Sequence, residues 1–105
     1  MTDLNASKTH DLNDAEAQAE RDKVLKIRAL VREKMLKEQL SQPSGRAFYW
    51  DLLSACHVFE SIMPGDEATT NFLLGERNVG LRLMHEIMAA APESFIQMLK
   101  ERGNG

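Results

Sequence analysis

Three stretches carry residue types that could do chemistry. His85-Glu86-Ile87-Met88-Ala89 opens like the zinc-protease motif, in which two histidines four residues apart on a helix hold the metal and the glutamate activates water. Ala89 stands where the second histidine is needed, so a pair of ligands on one helical face is missing. Gly75-Glu76-Arg77-Asn78-Val79-Gly80-Leu81 keeps two glycines at phosphate-loop spacing, but Leu81 and Arg82 occupy the places of the required Lys and Ser/Thr. This stretch also reads as mid-helix rather than as a strand-to-helix loop. Cys56-His57 is the one thiol–imidazole neighbour pair. Adjacent side chains seldom aim at each other, and no helper that would activate the thiol is evident. His10, His57, His85 and Cys56 show no metal-ligand spacing. The sequence therefore offers no catalytic residue, no metal ligand and no cofactor site, and the expectation is a protein that is not an enzyme.

The elements that must carry these residues read as helices throughout. The chain of 105 residues fits one domain, and 43% hydrophobic residues are too many for wholesale disorder. No apolar run approaches the ~20 residues needed to span a bilayer. The polar, acidic start lacks the basic and apolar segments of a secretory signal, and a lone cysteine fits a reducing compartment, so the expected location is a cytoplasm or something assembled there. The spacing predicts an all-α fold: a long N-terminal helix followed by a compact three-helix unit. Residues 1–12 show no periodicity and are expected to form a mobile tail suited to ordering on a partner. A long charged amphipathic helix is expected over 13–41, capped by Asn13 or Asp14 and stopped by Ser41-Gln42-Pro43-Ser44-Gly45. A compact helical domain is expected over 45–102. Its second helix runs from Gly45 to Cys56 with Ser44 as cap, and its third from Glu67 to Ala91 after the turn Pro64-Gly65-Asp66. Its fourth starts at Pro92 and ends at a left-handed Gly103.

Net charge is −3, but the charge is segregated. Residues 21–37 hold seven bases, and Lys23, Lys26, Lys34 and Lys37 share one face of the long helix at ~100° per residue. That face is either solvated and supported by pairs such as Asp22–Lys26 and Glu33–Lys37, or a weak candidate for nucleic-acid phosphates. The same helix shows two apolar seams. Val24, Ile27, Val31 and Met35 form one; Leu25, Ala29, Leu36 and Leu40 form the other. Either both seams meet neighbours in the chain's own fold, or one is kept for another subunit.

On the second helix, Phe48-Tyr49-Trp50 places three aromatics at successive ~100° steps, which one core cannot take together. Phe48 continues to Leu52, so those two are expected to point inward and Tyr49 or Trp50 to face a partner. The alternative is that Val58, Phe59, Ile62 and Met63 fold back over them. On the third helix a broad apolar arc holds Phe72, Val79, Leu83 and Ile87, with Leu73, Met84 and Met88 extending it. Glu76 projects within the arc, where an unpaired carboxylate is costly. Its expected partner in a structural ion pair is Arg46 or an arginine of the first helix. Gly75 and Gly80 are each expected to admit the backbone of another helix.

Asp51-Leu52-Leu53-Ser54-Ala55-Cys56-His57-Val58-Phe59, the Gly75–Leu81 stretch and Ala91-Pro92-Glu93-Ser94-Phe95 resemble a family of short tailed-bacteriophage proteins named from a Bordetella podovirus. The resemblance spans about Arg46 to Glu101 and leaves the first helix outside. It implies a virion or head-assembly component, located in the virion and, during assembly, in the host cytoplasm. It carries no activity and no functional residues. The expected partners are phage structural proteins (capsid, portal or tail components) or a second copy, and no membrane. The contacts would run through Val24, Ile27, Val31, Met35, Tyr49 and Trp50. The alternative is a small phage regulator that binds DNA or a host protein.

Overall fold

The computed structural model describes residues 2–63 and 65–103, with side chains from Leu12 onward. Four α-helices account for the regular structure, and no strand occurs among the described residues. They are α1 (Thr2–Leu40), α2 (Pro43–Ala55), α3 (Glu67–Ala90) and α4 (Pro92–Arg102). The chain divides into two units, Met1–Glu33 and Lys34–Gly105.

Helix α1 starts at Thr2, not at Asn13 or Asp14. No Gly or Pro interrupts residues 2–40, so nothing in the backbone forces a break at either cap candidate. Met1 and the side chains through Asp11, His10 among them, lie outside the described residues, as does Pro64 of the expected Pro64-Gly65-Asp66 turn.

The second unit begins at Lys34, eleven residues earlier than the expected 45. The last turns of α1 belong to it because Leu36 and Leu40 are fully buried. Helices α2, α3 and α4 pack pairwise. Between them sit Tyr49 and Leu53 of α2, Ile87 and Ala90 of α3, and Phe95 and Met98 of α4, closed by Val58 from the connector. Each fully buried side chain of this kind contributes roughly 1.5–3 kcal/mol.

The helix ends follow local chemistry. Helix α2 starts at Pro43 rather than Gly45, and Gln42 rather than Ser44 precedes it, at φ −100° and ψ 140°. Proline pushes the residue before it into extended backbone, and its own fixed φ suits the first helical position. This makes a tight corner in which Gly45 lies against the end of α1. A Cβ there would sit 1.8 Å from the Gln39 carbonyl oxygen. Asp66 caps α3 by accepting the Thr69 backbone N–H at 2.9 Å. Ala91 alone joins α3 to α4, and Pro92 opens α4 as expected. Gly103 is right-handed, at φ −72° and ψ −21°, not left-handed.

Helix α2 ends with a left-handed residue that is not glycine. His57 has φ 62°. Its N–H donates to the Ser54 carbonyl at 3.0 Å, and the Val58 N–H donates to the Leu53 carbonyl at 3.2 Å. This pair of bonds satisfies the last carbonyls of the helix, and the buried Leu53 and Val58 supply its apolar contact.

Candidate interaction surfaces

In the first unit every described side chain from Leu12 to Arg32 is exposed. Ile27, Leu30 and Val31 are 61%, 66% and 63% exposed, and Val24 and Leu25 are exposed beside them. The polar side chains upstream pair along the helix: Gln18 donates to Asp22 at 3.0 Å, and Arg21 donates to Gln18 at 3.0 Å. Lys23 and Lys26 are exposed here, as are Lys34 and Lys37 at the start of the second unit. Met35 is exposed too. The second seam splits: Leu25 and Ala29 face solvent, whereas Leu36 and Leu40 enter the core.

The aromatics of α2 are rotated by one position from the expected arrangement. Tyr49 is buried and donates its hydroxyl hydrogen bond to Gln39 Oε1. Phe48, expected inside, is 61% exposed, and Leu52 is exposed with it. Trp50 is half-buried because Phe59 of the connector stacks on it, with ring centroids 4.2 Å apart and planes at 19°. The inward stripe is Gly45, Tyr49 and Leu53, which has the same four-residue spacing as Phe48 and Leu52. Gly45, at the head of the inward stripe, lies against the Gln39 backbone, a contact visible only in the folded chain. Phe48 meets Tyr49 edge-on at 5.3 Å and borders an open concavity of about 420 Å³ lined also by Gln39, Gln42 and Ser44.

Glu76 and Arg46 do not pair with each other. Arg46 Nε lies 2.7 Å from Glu101 Oε1, and its NH1 donates to the Leu40 carbonyl at 3.1 Å. It ties the orphan C-terminal carbonyl of α1 to the last turn of α4. Glu76 instead faces His57 Nε2 at 3.4 Å, with Glu60 3.8 Å from His57 Nδ1. Both contacts become ionic when the imidazole is protonated. The sequence hid this arrangement, because nothing in Ala55-Cys56-His57-Val58 announces a left-handed histidine.

The two glycines of α3 also part ways. A Cβ on Gly80 would meet Val58 Cγ2 at 2.5 Å and Cys56 Cβ at 2.6 Å, so Gly80 admits the chain leaving α2 rather than another helix backbone. At Gly75 nothing stands within 4 Å. Phe72 and Val79 on its flanks are exposed, so the apolar arc of α3 is buried only toward its C-terminal end. No group of three or more His, Cys, Asp or Glu side chains converges among the described residues, and none of their helices is long and apolar enough to cross a membrane.

Residues 36–100 match the family model of the Bbp19-like phage proteins. The chain belongs to the Bbp19-like phage protein family. The match begins at Leu36, the first fully buried side chain among the described residues, and ends at Lys100 in the last turn of α4. The family's span is thus nearly the whole compact unit, including the end of α1 that the resemblance from Arg46 onward left out. The exposed seam at Val24, Ile27 and Val31 lies before it. No curated protein and no solved structure matches the chain.

Proposed function

We propose that this Bbp19-like protein is a small accessory component of the phage particle or of its assembly. It docks on a larger phage structural protein through the α1 face at Val24, Ile27 and Val31. Phe48 and Met35 of the compact unit offer further contacts. One observation carries the reading: from Val24 to Val31 five large apolar side chains are exposed in a stretch that adds nothing to the core. Contiguous exposed apolar surface of this kind marks interaction sites. The stretch also precedes the family's matched span, as an appended docking element does.

The test is mass spectrometry of purified particles. The wild-type chain is expected in the particle at a fixed copy number. The double variant Ile27→Asp, Val31→Asp is expected to keep its melting temperature and to be lost from the particle. Absence of the wild-type chain from particles sinks the proposal. A regulatory reading rests on the exposed Lys23, Lys26 and Lys34. Duplex DNA binding at physiological ionic strength that weakens steeply with added salt would move the assignment there.

A further inference from the structure

Gly75 is the one glycine of α3 whose backbone freedom the chain itself does not use. A glycine inside a helix is costlier than alanine. At Gly80 the close approach of Val58 and Cys56 requires it, but at Gly75 there is only open space. The neighbours on that face are apolar and open. Phe72, one turn before, is 66% exposed, and Val79, one turn after, is 57% exposed. At ~100° per residue Phe72, Gly75 and Val79 share one face, so two apolar ridges stand on either side of a notch. That is the shape into which the side-chain ridge of a crossing helix fits.

The charges say which helix. The polar flank of this face carries Glu67 at its N-terminal end and Arg82 toward its C-terminal end, both exposed. An antiparallel copy of α3, related by a two-fold axis near Gly75, sets Phe72 of each copy against Val79 of the other. In the same register Arg82 of each copy falls between Glu67 and Asn71 of the other. A parallel copy would instead set Arg82 beside Arg82. Such self-complementarity is what a two-fold interface demands. Glu76 lies on the opposite flank and faces His57 Nε2 of its own chain at 3.4 Å, so it does not approach the axis without a partner.

The geometry points to a symmetric dimer in which α3 packs antiparallel on α3 of a second copy across Gly75. This surface is separate from the α1 face proposed for the larger assembly and does not depend on it. Sedimentation equilibrium of the full chain over a concentration series tests the dimer. The wild type is expected to dimerise. Gly75→Gln is expected to raise the dissociation constant about tenfold or more, the scale of losing a hot-spot contact. Its melting temperature in the dilute, monomeric range is not expected to fall. Arg82→Glu alone is expected to weaken the dimer, and Glu67→Arg combined with Arg82→Glu to restore it. A monomer at every concentration overturns the inference. So does a dimer indifferent to Gly75→Gln, or one broken only by Val31→Asp, which places association on α1. A double charge swap no tighter than either single change overturns the antiparallel register.

Discussion

The two glycines of α3 occupy one helix and meet opposite surroundings. Around Gly80 the space is filled to contact by Val58 and Cys56; around Gly75 it is empty. The rest of the helix follows the same division. Ile87 toward the C-terminal end is fully buried, and Phe72 toward the N-terminal end faces solvent. Local sequence does not separate the two halves, since both are apolar and each has a glycine. The connector does. It leaves α2 through the left-handed His57 and lays Val58 against Gly80, and nothing comparable reaches Gly75. The lesson is that an apolar helical face becomes core only where another segment is delivered to it.

The largest expected effect that sharpens this contrast is at Ile87. Ile87→Ala removes a fully buried side chain and is expected to destabilise the chain by about 2–5 kcal/mol. Phe72→Ala, measured by the same urea unfolding at monomeric concentration, is expected to change stability by less than about 0.5 kcal/mol. Equal effects at the two sites would abolish the division of α3 into core and surface halves.

The glycines give the next test, because alanine should act with opposite sign at each. Gly80→Ala forces a methyl into Val58 and Cys56 and is expected to cost about 1–3 kcal/mol. Gly75→Ala meets nothing and is expected to stabilise by about 0.5–1 kcal/mol through helix propensity alone. Thermal melts of the two variants in parallel decide it. A shared sign would show that the difference in surroundings is not felt.

The smallest effect concerns the cap of the exposed half. Hydrogen bonds from Thr69, first from its side chain and then from its backbone N–H, hold the Asp66 carboxyl below its ordinary value of 3.8. A lowered folded-state value favours the folded chain above 3.8, and the benefit is lost as pH falls through that lowered value. Asp66→Ala is therefore expected to melt below wild type at neutral pH, with the gap closing under acid conditions below about pH 4. A gap that stays constant from pH 7 to pH 3 would exclude the carboxylate as the source.

Much of the helix layout was legible. Pro92 marks the start of α4 because proline fits the first turn of a helix, and the turn signal ending at Asp66 places the start of α3 at Glu67. The face of α2 was not legible. Phe48 and Leu52 have the same spacing as Tyr49 and Leu53, and periodicity cannot choose between two equal stripes. The choice came from Gly45, whose missing Cβ lets the helix meet the Gln39 carbonyl. The partner of Glu76 was hidden for a different reason. It depends on the direction in which the chain leaves α2, and a histidine in left-handed backbone breaks the usual preference for glycine there.

Residue order alone was enough to specify four helices and the bounds of α3 and α4 to within a residue, since proline placement and propensity act within a few neighbouring positions; it missed the start of α1 at Thr2 and of α2 at Pro43. It also separated acidic from basic stretches, and it carried the family pattern that makes this a phage protein. Which apolar stripe enters the core, and which carboxylate each arginine meets, required the folded chain. Those outcomes depend on backbones that approach one another from distant parts of the sequence, and a pattern of spacings holds no distance between them.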